Sequence, residues 1–267
     1  MSAVLQPSNV PLVGASGAPF PTFLPIDLPW PIEPDGEAVP PLFHMDFETY
    51  CDLNIKQDGL DVYASHPSFE PILMAWQRVD PFNPNPPPIG QTDSLQEMLD
   101  TVSEATRDPN LLFAAFNAPF ERRTLVQFGI NIPSHRWICV MAWAYSMAFN
   151  GGLKDVGEQL EIPADAQKLK SGTRLITKFC SPRKPTKNNT DTRWTPETAP
   201  EDWEQFKLYN RTDVAAEVAI AHELMPYFPS QVQRAEYCWD AEVNERGLPI
   251  DTELVDACCD IYAQEQS

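Results

Sequence analysis

Hydrophobic and polar positions along the chain predict short strands in the first half and mostly helices afterwards. Short apolar segments predict strands at Leu42–Thr49, Pro71–Val79, Leu111–Phe116 and Trp137–Val140. Apolar residues at helical spacing predict helices over Asp93–Arg107, Pro119–Phe128, Met141–Phe149, Leu153–Leu160, about Glu201–Met225, about 230–246 and about 252–264. This order predicts an α/β fold with a mixed central sheet flanked by helices.

The first 41 residues differ from the rest because they are rich in proline and contain no Lys or Arg. Each proline fixes φ and removes a backbone donor, so neither a helix nor a strand is expected here. We interpret residues 1–41 as an extended leader. A folded domain at 42–228 and a helical C-terminal extension at 229–267 are expected to follow.

The sequence shows no membrane-directed or cysteine-based feature. No apolar run approaches the roughly 20 residues that span a bilayer, and the N-terminus lacks the pattern of a signal peptide. We therefore expect a cytoplasmic protein without a membrane partner. The six cysteines include no C-x-x-C pair, which indicates reduced thiols rather than a zinc site or a disulfide framework.

The charge is unevenly distributed. The formal net charge is −19, whereas binding of nucleic-acid phosphates usually requires a basic surface. Between Gln167 and Trp194, however, the chain contains eight basic residues and only one acidic residue. This segment is predicted to contact phosphate through Arg183, Lys184 and Lys187, and the alternative is a solvated loop.

Three carboxylate-bearing motifs are candidates for chemistry. Asp46 and Glu48 lie two apart on a predicted strand and therefore point to one face. Two carboxylates so close repel each other, and a hard divalent cation such as Mg²⁺ would relieve the repulsion. The alternative is a pair of solvated acids at the end of a strand.

The other two motifs are Asn117-Ala118-Pro119-Phe120-Glu121, at a strand-to-helix junction, and Tyr209-x-x-x-Asp213, on one helix face. Such junctions bind ligands in α/β sheets. An acid in the first helical turn also suits the helix dipole without any function. Asp213 shares its face with apolar residues, but Asn210 and Glu217 fall near it too, so a helix at a domain edge is an equal alternative.

Taken together and in this order, the motifs resemble the D-x-E, N-x-x-x-(D/E) and Y-x-x-x-D motifs of DEDD-type 3′→5′ exonucleases. They are similar to the proofreading domains of phage-type family A DNA polymerases. Further likeness lies in Asp46–Tyr50, Val62–Glu70, Pro182–Asn188 and Glu242–Asp251. The resemblance covers about 42–267 and implies a ribonuclease H-like fold.

The resemblance also implies a mechanism. Two Mg²⁺ or Mn²⁺ ions would be held by Asp46, Glu48, Glu121 and Asp213, and Tyr209 would orient the attacking water. The substrate would be DNA with a single-stranded 3′ end, and the products would be nucleoside monophosphates. Substrate contacts are expected from Thr49, Asn117, Phe120, Arg183, Lys184 and Lys187, although a phenylalanine such as Phe120 is more often a core residue. Many relatives have Asp where this chain has Glu121, whose side chain is one methylene longer, so an altered spacing of the second ion is expected.

Two alternatives and one expected partner accompany this interpretation. One alternative is a ribonuclease D-like RNA exonuclease, and the other is a non-catalytic scaffold that holds DNA. The stretch Asn244–Asp251 resembles the segment leading into a polymerase module, for which 267 residues leave no room. We therefore expect no nucleotide addition by this chain, which would be either the front part of a polymerase divided between genes or a polymerase fragment. In the divided case the expected partner is a separate polymerase chain, contacted by helices at about 230–264 through the apolar residues Val232, Tyr237, Trp239, Val243, Leu254 and Ile261. The alternative is that these residues pack on the exonuclease core.

Overall fold

The computed structural model describes residues 39–80, 83, 85–162, 172–185 and 190–266. The chain divides into two units, Met1–Glu37 and Ala38–Ser267, and all described residues belong to the second. The proline-rich leader therefore lies outside the described residues, apart from residues 39–41, and so does Lys187.

The described residues form five strands and ten α-helices. The strands are β1 (Leu42–Tyr50), β2 (Glu70–Val79), β3 (Gly90–Thr92), β4 (Leu112–Ala115) and β5 (Trp137–Cys139). The helices are α1 (Ile55–Asp58), α2 (Leu60–Ser65), α3 (Leu95–Thr106), α4 (Ala118–Gln127), α5 (Val140–Ser146), α6 (Leu153–Gln159), α7 (Gly172–Phe179), α8 (Pro200–Leu224), α9 (Gln231–Arg246) and α10 (Thr252–Glu265). The elements expected from apolar spacing are all present, with bounds that differ by a few residues at most.

The strands form one mixed sheet in the order β3-β2-β1-β4-β5. β1 pairs antiparallel with β2 and parallel with β4, while β5 continues the parallel side. β1 is the central strand, and side chains alternate between its faces. Phe43, Met45 and Phe47 pack into one core with residues of α3, α4, β4 and β5. The mixed sheet flanked by helices agrees with the predicted α/β class.

Three elements have no clear signal in the apolar pattern. β3 has only three residues and exists because it pairs with β2 at Met74–Trp76. At Gly90 an added Cβ would lie 2.5 Å from the Trp76 ring, so the chain passes close to that indole. α1 and α2 are short and are separated by Gly59, whose φ of +81° favours glycine.

The two C-terminal helices differ in how much they bury. α9 contacts the rest of the domain, since Arg234 Nη2 donates to the carbonyl of His135 and Ser134 Oγ donates to Glu242 Oε1. Tyr237 packs against the core beside β5. α10 has no buried residue. Of the apolar residues expected to contact a polymerase chain, Tyr237 packs inward and Val243 is half-buried, while four remain exposed: Val232, Trp239, Leu254 and Ile261.

Candidate functional site

The site begins with the row of side chains on the α8-facing side of β1. Leu42 and Tyr50 lie at the ends of this row and pack into apolar clusters with α8 residues. Between them lie His44, Asp46 and Glu48, three polar residues on a strand with mostly buried positions. β4 pairs with β1 only as far as His44, so Asp46 and Glu48 extend past the end of their parallel neighbour.

α8 supplies the second half of the site. Tyr209, Asp213 and Glu217 follow at spacing i, i+4, i+8 on one face of this 25-residue helix, and all three are buried. Ligand oxygens of Asp46, Glu48 and Asp213 all lie within 4.8 Å of one another. Three carboxylates at this separation raise each other's cost of ionisation. They form an all-oxygen donor set of the kind that hard divalent cations prefer, so the group can hold a metal ion.

Tyr209 lies beside this group with its ring enclosed. The phenol is hydrogen-bonded to Asp213, and the pKa of Tyr209 is raised strongly by burial and further by the charges of Asp213 and Glu48. The ring is stacked on Phe206, with centroids 6.2 Å apart. On another side lies Gly172, where an added Cβ would come 2.1 Å from Tyr209 Cε2. The hydroxyl is therefore protonated and held in one position.

Glu121 stands apart from the three clustered carboxylates. It lies in the first turn of α4, is 4% exposed, and its Oε2 has no hydrogen-bond partner among the described residues. Burial raises its pKa well above the ordinary range, and the charge of Asp46 adds to the effect. Glu121 therefore faces the same negative region as Asp46 without belonging to the close group.

The residues of the first two motifs that are expected to contact the substrate differ in how exposed their side chains are. Asn117 precedes α4 and is exposed, and its side chain makes no capping bond. Phe120 is half-buried and packs between two cores. Thr49 is buried, and its hydroxyl lies 2.9 Å from the hydroxyl of Tyr63. Only Asn117 presents an exposed side chain in the present arrangement.

Much of the positive charge in the basic segment is paired within the protein. Arg174 and Lys178 both form ion pairs with Asp202 at the start of α8. Arg193 pairs with Glu70, and its guanidinium lies 4.1 Å above the ring of Tyr50. These residues serve the fold, which leaves fewer cations for phosphate than the sequence suggests.

Of the three basic candidates for substrate contact, Arg183 and Lys184 lie within the described residues and Lys187 does not. Arg183 lies 3.9 Å from the centroid of the Trp194 ring, and Lys178 Nζ lies 4.2 Å from the same centroid. Lys184 is exposed and forms no ion pair with any described residue. Lys184 is thus the described candidate with a cation open to solvent.

Two residues that touch the carboxylates were not singled out from the sequence as site residues. Asn210 Nδ2 donates to Asp46 Oδ2 at 2.7 Å and to the Asp46 carbonyl at 3.1 Å. Cys180 Sγ lies 3.7 Å from Glu48 Oε2 and donates to it, and burial followed by the Glu48 charge raises the pKa of this thiol. The signal for Asn210 was its polar side chain near an apolar helix stripe, whereas Cys180 gave none.

Within the described residues, no helix combines the length and the apolar character that a bilayer crossing requires.

Comparison with known proteins gives one line of evidence about ancestry. No protein-family model matches the chain. The chain is similar to the DNA polymerase of Bacillus phage SP02, with 32% identity over 213 residues, which is 79% of this chain and 32% of that polymerase. The chain thus spans about a third of the length of this relative. The similarity supports the assignment of the chain to a polymerase-related family.

Proposed function

We propose that the chain is a metal-dependent 3′→5′ exonuclease of the proofreading type, which removes nucleoside monophosphates from DNA 3′ ends. The observation that carries the proposal is the meeting of Asp46, Glu48 and Asp213 within 4.8 Å, with Tyr209 bonded to Asp213. These residues come from the first and third of the three motifs. The similarity to a phage DNA polymerase supports DNA as the substrate.

Two Mg²⁺ or Mn²⁺ ions would be held by Asp46, Glu48 and Asp213, with Glu121 supporting the second ion. The donor set fits, because it contains only carboxylate oxygens and because Glu121 Oε2 is buried without a hydrogen-bond partner among the described residues. When bound, such ions neutralise negative charge on the attacked phosphate and activate water as a nucleophile.

The protein's own groups would hold this arrangement and position the water. A phenol with an ordinary pKa of about 10 keeps its proton near neutral pH, so Tyr209 would act as a hydrogen-bond donor and not as a base. Asn210 and Cys180 restrain the carboxylates of Asp46 and Glu48 through direct hydrogen bonds. Restrained groups cost less reorganisation during the reaction.

The fold and the surroundings are consistent with this activity. The sheet order β3-β2-β1-β4-β5, with an antiparallel and a parallel side, supports a ribonuclease H-like domain at 42–228 followed by the extension at 229–267. Thr49, Asn117 and Phe120 lie on the segments that carry the carboxylates and would contact the terminal nucleotide. Arg183, Lys184 and Lys187 would contact the phosphates of a single-stranded 3′ end.

The test is digestion of a 5′-labelled DNA single strand with Mg²⁺ or Mn²⁺, analysed for shortening by single nucleotides. Asp46→Ala should lower the rate by at least about a hundredfold, since charge stabilisation in the active site is lost. The domain should still fold, because a repelling carboxylate has been removed. Asp100→Ala, at an exposed position on α3, is the matched control.

Two outcomes would contradict the proposal. Equal rates for Asp46→Ala and Asp100→Ala would remove the site assignment, and an absence of cleavage in the unaltered chain would favour a scaffold that only holds DNA. A matched RNA strand is digested in parallel, since faster cleavage of RNA would favour the ribonuclease D-like alternative.

A further inference from the structure

One buried acid on α8 contacts the other two segments that carry the proposed site residues. Glu217 lies one helical turn after Asp213, and its Oε1 is 2.6 Å from Nδ1 of His44, which lies on β1 two residues before Asp46. Its Oε2 accepts a hydrogen bond of 2.8 Å from the backbone N–H of Phe116, at the end of β4. Both His44 and Glu217 are 1% exposed.

These bonds fix α8 in a way that the surrounding apolar contacts do not. Ile220 and Leu224 pack against the sheet, but apolar packing is not directional and tolerates small shifts along the helix axis. One bond of Glu217 ends on β1 and the other on Phe116, the residue after β4, so a shift of α8 would separate the buried Glu217 carboxylate from its donors. A buried polar group without its hydrogen-bond partner is unfavourable, so these bonds resist the shift.

Asp213 lies between two anchored points of the same helix. Asn210 precedes it by one turn and is bonded to Asp46, and Glu217 follows it by one turn and is bonded to His44. Both partners lie on the same face of β1. The position of Asp213 opposite Asp46 is therefore set on each side by a hydrogen bond, which is partly buried at Asn210 and fully buried between Glu217 and His44.

We propose that Glu217 is a positioning residue that, through His44 and the Phe116 N–H, holds Asp213 at the distance from Asp46 and Glu48 that metal binding requires. The inference rests on the proposed function, because it treats those three carboxylates as metal ligands. Glu217 itself contacts none of the reacting groups in this account and acts through the placement of α8.

The consequences of substitution follow from the hydrogen-bonding capacity of the side chain. Glu217→Ala removes the acceptor of both bonds. Loss of a group bonded directly to a metal ligand weakens metal affinity by about 10-fold to 100-fold, and the lower end of this range is expected for Glu217, which acts through α8. Glu217→Gln should restore most of the affinity. Its amide oxygen can accept from Phe116 N–H, and its N–H can donate to Nδ1 of His44 in the other neutral tautomer.

The experiment measures Mn²⁺ binding to the full chain by calorimetry without DNA, and then the Mn²⁺ concentration at half-maximal cleavage. Glu217→Ala should require about tenfold more Mn²⁺ or higher in both measurements, while Glu217→Gln and the exposed control Glu223→Ala should resemble the unaltered protein. A purely structural role would lower the melting temperature without changing the Mn²⁺ affinity of the folded protein.

If Glu217→Ala binds Mn²⁺ with the same affinity as the control Glu223→Ala, the inference is overturned. Asp46→Ala separates this failure from that of the proposed function, because a metal site made by other residues would leave its Mn²⁺ affinity unchanged. If Glu217→Ala does not fold, His44→Leu is measured instead, since it removes one bond and retains the bond to Phe116. An unchanged affinity in that folded variant overturns the inference equally.

Discussion

At the scale of single residues, Glu121 combines full enclosure with an unsatisfied oxygen. A buried carboxyl next to another acid holds its proton more tightly in the folded than in the unfolded chain. As the pH rises above about 4.3, the unfolded chain releases this proton first, so the folded state loses relative stability until the higher folded pKa is passed.

Glu121→Gln, which does not titrate, should therefore be more stable than the unaltered protein at pH 7 without metal. The difference should shrink towards zero near pH 4, and urea unfolding in a chelator between pH 4 and 8 measures it. A difference that is constant across this range would show that Glu121 is not protonated when buried. With Mg²⁺ present, Glu121→Gln should cleave much more slowly and Glu121→Asp should be tolerated better.

Gly172 determines where the Tyr209 ring can lie. Its backbone would accept alanine, but the added Cβ would lie 2.1 Å from Tyr209 Cε2. Gly172→Ala should lower stability by about 1–3 kcal/mol, as expected for overpacking, and should slow cleavage because the phenol is displaced.

Thermal unfolding and turnover at saturating DNA measure these effects. Gly157→Ala is the control, because a Cβ there meets its nearest atoms at an ordinary 4.0 Å. If the two variants were equally active, the contact between Gly172 and Tyr209 would have no functional role.

At the scale of elements, two basic residues in the segment between α7 and α8, Arg183 and Lys184, differ in their surroundings. Arg183 stacks on Trp194, so its removal would disturb the segment itself. Lys184 is exposed and serves as the cleaner probe.

Lys184→Ala should weaken binding to single-stranded DNA of any sequence. It should also reduce the slope of log affinity against log salt by about 0.7, the value for one phosphate contact on a single strand. Fluorescence anisotropy at several salt concentrations measures the slope. Lys154→Ala, an exposed lysine on α6, controls for the change in net charge, and equal slopes in both variants would exclude a phosphate contact at Lys184.

The elements also show what apolar periodicity can and cannot indicate. β1, α4 and α8 follow from local spacing, and the likeness to exonuclease motifs pointed to Asp46, Glu48 and Asp213 before the structure placed them together. The contacts of Asn210, Cys180 and Glu217 depend on residues more than a hundred positions away. No local pattern contains that information, and β3 exists only because β2 offers it a pairing edge.

At the scale of the whole molecule, α10 and the residues 247–251 that precede it include no buried residue. Deletion of 248–267 should therefore change the melting temperature by less than about 2 °C and leave cleavage intact. If a separate polymerase chain is the partner, the same deletion should abolish co-elution with it in size exclusion. Deletion from residue 231 onward is the contrast, because it also removes Tyr237, Cys238 and Ala241 from the core and should destabilise the domain.

The carboxylate group joins β1 to α8, which lie far apart along the chain, and this separation affects when the group can assemble during folding. Asn210 and Asp46 are 164 positions apart, and His44 and Glu217 are 173 apart. During synthesis, β1 leaves the ribosome long before α8 exists, and closing so long a loop is a late and slow step of folding. A partly made chain therefore carries Asp46, Glu48 and Glu121 without Asp213, the third member of the close carboxylate group. The proposed nuclease activity would therefore arise only once α8 has docked, and an unfinished chain would not cleave nucleic acid near it.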